Sequence, residues 1–133
     1  KKNINKLLKI SKKNKEIIFL GKLSDEKKND FYNSIDVLVL PSLNSFEAFG
    51  LVQLEAMSHG KPVIVSDLRG VRIPIQYTGN GLLFRRGDVK ELVKCIEYYY
   101  QNLKEIDNKH IQNSYIKYFN QEDFKKLFLS IFI

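Results

Sequence analysis

A single cysteine, Cys95, stands among the 133 residues, so no internal disulfide can form and a thiolate metal site has too few ligands, a usage that suits a reducing compartment. No apolar run approaches the roughly 20 residues needed to cross a bilayer. The opening KKNINKLLKI has neither the hydrophobic core nor the small-residue cleavage site of a secretion signal. A cytoplasmic protein is the expectation. Neither an Asp-x-Asp cluster nor a His/Cys set at ligand spacing occurs, so no metal and no other cofactor is expected. Repeats, linkers and low-complexity tracts are also missing, and residues 1–133 read as one domain. Positive charge is what the chain has in excess: 22 Lys and Arg against 15 Asp and Glu give +7. That balance favours acidic partners, among them nucleic acid, anionic lipid and phosphorylated small molecules.

The pattern of apolar residues sets out the elements in order. Ile4, Leu7, Leu8 and Ile10 fall at helical spacing among lysines, giving an amphipathic helix over residues 1–16 with no N-cap. Ile17, Ile18, Phe19 and Leu20 form a continuous apolar run closed by Gly21, the signature of a buried parallel strand. Ser24 is the N-cap of a following helix that turns Phe31, Tyr32 and Ile35 inward. Val37 to Leu40 form the next strand, ended by Pro41. A loop of small and polar residues from Ser45 leads into a helix that stops at Gly60, and Pro62 opens the strand Val63, Ile64, Val65. Residues 67–80 read as irregular, ending in a tight turn at Gly79-Asn80-Gly81 before a strand at Leu82 to Phe84. Asp88 and Glu91 make a capping box for a helix carrying Leu92, Val93, Ile96 and Tyr99. Helices over 105–118 and 121–131 complete a helical C-terminal segment of about 88–131. Four strands alternating with helices argue for an α/β fold, a Rossmann-like open parallel sheet flanked by helices. The sheet looks incomplete, lacking its first strands. Such an open apolar edge predicts dimerisation of the fragment, and the apolar ending LFLSIFI needs something to pack against.

Parallel α/β sheets bind ligands where a strand's carboxyl end feeds the N-terminus of the next helix. In this chain that place is PSLNSFEAFGLVQLEA. Its small residues let the backbone N–H groups of Ala48, Phe49, Gly50 and Leu51 approach an anion, and the helix dipole favours negative charge there. Two carboxylates flank the anion site, Glu47 before the helix and Glu55 inside it, the latter roughly 7 to 8 Å along the axis from Gly50. Acids do not bind phosphate, but they accept hydrogen bonds from vicinal hydroxyls. A ligand with a diphosphate in the middle and sugar hydroxyls at both ends satisfies donors and acids together, which describes a nucleotide sugar.

The segment resembles the Glu-x7-Glu motif of the retaining glycosyltransferases of family 4, also called glycosyl transferases group 1, which have the GT-B fold. The runs FLG, DVLVLPS, EAFGLVQLEAM, GKPVIVSD and GNGLLF follow the family order from about residue 16 to 101. The resemblance implies an incomplete GT-B C-terminal domain that binds a UDP-, GDP- or ADP-sugar. It implies that Glu47 meets hydroxyls of the transferred sugar as the catalytic residue, positioning it and stabilising charge rather than forming a covalent bond. It gives Glu55 the ribose hydroxyls, the backbone of Phe49, Gly50 and Leu51 the sugar and diphosphate, and Gly21 and Lys22 the border of the base. The family's basic Arg and Lys pair and its acceptor domain with a catalytic His would lie upstream, so the chain is expected to be inactive alone and to need that missing N-terminal acceptor domain. In the loop DLRGVRIPIQ, Ile73 stands where the family commonly has Glu. The alternatives are a stand-alone nucleotide-binding α/β module and a basic nucleic-acid-binding domain.

Bland explanations suit the remaining candidates. His59 lies at a helix C-terminus, an ordinary place for it, and His110 reads as an exposed helix residue. Cys95 reads as a buried small apolar group, Arg85 and Arg86 as a solvated pair, and the tyrosines 98–100, 115 and 118 as packing of the terminal helices. The lysines are spread over helix faces rather than gathered in one motif. Solubility accounts for them, nucleic acid is not expected as a partner, and an anionic surface at the cytoplasmic face of the membrane is the functional alternative.

Overall fold

Backbone groups of adjacent strands must pair before an apolar run becomes a sheet, and three segments of this chain do so. β1 (Leu38–Leu40), β2 (Val63–Ser66) and β3 (Gly81–Phe84) form a parallel sheet in the order β1-β2-β3. The computed structural model describes residues 2–44 and 50–119, together with 122, 126, 129 and 130. The chain divides into two compact units, residues 1–31 and 32–133.

The first unit holds α1 (Lys2–Lys13) and most of α2 (Asp25–Ser34). Ser24 caps α2 as its sequence position predicts, its Oγ accepting from Lys27 N at 3.4 Å. The strand expected at Ile17–Leu20 is not formed, and all four side chains are exposed. Hydrophobicity alone does not make a strand: among the described residues none pairs with this run, so its backbone has no ladder to join.

In the second unit the three strands run in step, with Leu38 opposite Val63 and Val63 opposite Gly81. β2 lies between two neighbours and is buried along its whole length, which is why it reads as an unbroken apolar run. The ladder extends past the strand ends through Leu38 N to Pro62 O at 3.0 Å and Asp67 N to Phe84 O at 2.8 Å. α3 (Leu51–Ser58) connects β1 to β2 and buries Leu54, Ala56 and Met57. Leu54 meets Phe119 of α6 (Asn108–Phe119), with Ile73, Tyr115 and Tyr118 packed around the pair. α6 also grips the end of α3 by polar side chains: Asn108 Nδ2 donates to Gly60 O and Gln112 Nε2 to Ser58 O, both at 2.8 Å. These bonds satisfy carbonyls that a helix end leaves without partners.

The stretch 67–80 is not all irregular as its composition suggests, because α4 (Ile73–Thr78) occupies its second half. Pro74 sits in the first turn, where its missing N–H costs nothing. Gly79 closes the helix in the left-handed region, its N–H donating to Ile75 O at 2.7 Å. Ile73, the residue at the family's Glu position, begins this helix and packs on the Leu54–Phe119 cluster. α5 (Val89–Gln101) starts at Asp88, whose Oδ1 accepts from Glu91 N at 3.0 Å. The reciprocal arm of the capping box is displaced, since Glu91 Oε2 accepts instead from Arg85 N at 2.7 Å. Cys95 is only half-buried, with its Sγ 4.0 Å from Leu83 O. This corrects the expectation of a buried thiol: α5 covers β3 from one side and has no fully buried residue. His110 is exposed as expected, and its N–H donates to Asp107 Oδ1 at 3.0 Å. The helix expected over 121–131 falls largely outside the described residues. No helix among the described residues is long and apolar enough to cross a membrane.

Candidate functional site

Because the strands are parallel and α3 runs back from the end of β1 to the start of β2, the N-terminus of α3 stands at the carboxyl end of the sheet. Gly50 is its N-cap, with φ 64 and ψ 70 and no side-chain cap bond. A left-handed backbone at this position suits glycine, and its carbonyl accepts from Gln53 N at 2.9 Å. Gly50 is buried and Leu51 exposed. Glu47, Ala48 and Phe49 lie outside the described residues. Gly21 and Lys22 belong to the first unit, where both are exposed and Gly21 has φ 69.

Glu55 follows on α3, roughly 7.5 Å along the axis from Gly50, and is half-buried. Its carboxylate is held: Tyr32 Oη donates to Glu55 Oε2 at 2.6 Å. Tyr32 is 4% exposed, and its ring stacks on that of His59 at 5.2 Å between centroids. Burial, then the bond to Glu55 and the charge of Glu55, push the phenol well above its ordinary range, so it remains a protonated donor. His59 is tied to the end of α3, with Nδ1 2.9 Å from Glu55 O and 3.2 Å from Ser58 Oγ. Ser58 Oγ donates to the same carbonyl at 2.6 Å. These contacts tie His59 to the C-terminal end of α3.

Sequence reasoning placed Tyr32 on an inward helix face and missed its partner. The available signal was chemical: a buried tyrosine normally finds a partner for its hydroxyl. Gln53 was missed as well. It is fully buried, and its Nε2 donates to Val71 O at 2.8 Å, fastening α3 to the loop after β2. Ser66, at the carboxyl end of β2, is also fully buried, and its Oγ has no partner among the described residues. No group of three or more His, Cys, Asp or Glu residues able to hold a metal occurs among the described residues.

A parallel sheet with a glycine-opened helix at its carboxyl edge, and an acid held inside that helix, defines an α/β class whose ligands gather at the carboxyl ends of the strands. Residues 1–117 match the profile of the glycosyl transferases group 1 family, and the chain belongs to that family. An uncharacterized glycosyltransferase of Methanocaldococcus jannaschii is 40% identical over 67 residues, 50% of this chain and 17% of the relative. Sulfoquinovosyl transferase of Arabidopsis thaliana is 42% identical over 79 residues, 57% of this chain and 15% of the relative. Among solved structures, sucrose-phosphate synthase from Thermosynechococcus elongatus superposes with a TM-score of 0.78 at 26% identity, over 98% of this chain and 34% of that one. The fold is thus that of a GT-B glycosyltransferase, and the chain spans about a third or less of the length of the proteins it matches.

Proposed function

We propose that this chain binds the nucleotide-sugar donor within a retaining glycosyltransferase, which passes a hexose from a UDP-, GDP- or ADP-sugar to a glycan, lipid-linked or small-molecule acceptor. The observation that carries the reading is Glu55, fixed by Tyr32 inside the helix that begins at Gly50. The N-terminal amides of α3 meet the diphosphate, since they carry partial positive charge and no intrahelical partners. Glu55 accepts from the ribose hydroxyls. Glu47 orients the transferred sugar and stabilises the charge that develops as its bond to the diphosphate breaks.

Two parts of the reaction fall to residues outside this chain: the acceptor site with its general chemistry, and the basic pair on the diphosphate. The segment alone therefore transfers no sugar. The intact enzyme works in the cytoplasm, at the membrane surface where its acceptor is lipid-linked.

Calorimetric titration of the intact protein with UDP-, GDP- and ADP-sugars tests the reading. Binding of one nucleotide class, weakened in both Glu47→Gln and Glu55→Gln, is the expected result. An intact protein that binds none of the three overturns the assignment. Binding without turnover on any acceptor would favour a stand-alone nucleotide-binding module.

A further inference from the structure

Beyond the proposed donor site, four arginines line one open cleft of about 500 Å³ between the loops after β2 and β3: Arg69 and Arg72 from the first, Arg85 and Arg86 from the second. Ser66 pairs with Phe84 in the sheet, and Asp67 N donates to Phe84 O at 2.8 Å, so the roots of the two loops are locked side by side. Two acids, Asp67 and Glu91, also line the cleft, and both are engaged. Asp67 Oδ1 pairs with Arg72 Nε at 2.8 Å. Glu91 Oε2 is taken by the backbone N–H of Arg85. Among the described residues, Arg69, Arg85 and Arg86 make no ion pair.

A solvated arginine pair, the reading that sequence alone favours for Arg85 and Arg86, does not account for Arg69 and Arg72 facing the same concavity. Like charges gathered on one concave surface repel one another, and an anion placed among them relieves that repulsion. Guanidinium groups present paired N–H donors in a planar fork that matches phosphate oxygens. The position is also one where ligands of parallel sheets gather, outside the carboxyl ends of neighbouring strands.

We infer that this arginine cleft is a binding site for a phosphate ester, distinct from the Gly50–Glu55 segment that receives the donor. The phosphate is carried either by a small soluble alcohol or by a phospholipid headgroup. The cleft presents the same chemistry to both, and the experiment separates them.

The intact protein is titrated with glycerol phosphate and, separately, floated with phosphatidylcholine vesicles with and without phosphatidylglycerol. Each measurement is repeated with Arg69→Gln/Arg86→Gln and with Lys90→Gln/Lys94→Gln, which removes equal charge from α5 outside the cleft. Glycerol phosphate binding should weaken about tenfold or more in the arginine variant, as lost charge-assisted hydrogen bonds require, and should barely change in the lysine variant. Flotation that requires both phosphatidylglycerol and the arginines identifies a lipid headgroup, and soluble binding without flotation identifies a small phosphate ester. Equal losses in the two variants, or no binding of either probe, overturn the proposal. All of these readouts are independent of nucleotide-sugar binding, so the donor reading can fail while this one stands.

Discussion

Tyr32 and Glu55 stand 23 positions apart in the chain and meet through a 2.6 Å hydrogen bond from phenol to carboxylate. Replacing Tyr32 by Phe removes one oxygen, keeps the ring on His59, and leaves a half-buried carboxylate without its donor. A hydrogen bond to a charged group contributes about 1.5 to 3 kcal/mol, and urea unfolding of Tyr32→Phe should show a loss in that range. Donor affinity, measured by calorimetry, should fall about threefold to tenfold because Glu55 is no longer held in place. Unchanged affinity in a folded Tyr32→Phe protein would remove Tyr32 from the site.

Tyr99 predicts an alkaline signature. Burial, followed by the neighbouring Tyr98 and Cys95, pushes its phenol from 10.0 up to about 12. The folded state thus holds this proton more tightly than the unfolded chain does. The resulting stability is fully present below pH 10 and is lost as pH rises through the folded value. Unfolding free energy should fall less steeply between pH 10 and 12 in Tyr99→Phe than in the parent. Parallel pH profiles would contradict this.

Two glycines with the same backbone sign predict different costs. Gly60 has φ 75, and a Cβ there would lie 2.5 Å from Asn108 O. Gly79 has φ 69 with nothing within 4 Å of a Cβ. Gly79→Ala therefore pays only for the left-handed backbone, about 1 to 2 kcal/mol. Gly60→Ala must also push α6 away from α3, and thermal melts should rank it clearly below Gly79→Ala.

Removing the cap of α5 supplies a smaller, local effect. Asp88→Ala should cost about 1 kcal/mol, because Glu91 N loses its acceptor, whereas Asp88→Asn should retain most of the stability. Equal melting temperatures for the two variants would mean that the cap bond contributes nothing in solution.

What could be read from the sequence is what local chemistry decides. The Asp88 cap, the turn around Gly79, the strands ending at Leu40 and Phe84 and the helix opened by Gly50 each rest on residues within a few positions of one another. The family motif was legible for the same reason, being one continuous segment around Glu55. Readings failed where the deciding partner is remote or missing. The run Ile17 to Leu20 has a strand's composition, but pairing depends on another segment. α4 lies inside the stretch 67–80, read as irregular up to the turn at Gly79-Asn80-Gly81, although Pro74 sits in the first turn of a helix that Gly79 closes. Tyr32 could not be matched to Glu55, nor Gln53 to Val71, because no local pattern encodes a contact between separate elements. Arg69 and Arg72 likewise join Arg85 and Arg86 only once β2 and β3 lie side by side.

In the proposed donor site, the two amide side chains of α6 that hold Gly60 O and Ser58 O give that helix a part in orienting the N-terminus of α3. α3 has only eight residues, roughly 12 Å from end to end, and α6 clasps it at the end away from Gly50. A short rigid rod clasped at its tail transmits any tilt directly to its tip. Substitutions at Asn108 or Gln112, on a helix with no place in the motif, should therefore misdirect the amides at Gly50 and appear as defects in sugar-nucleotide recognition.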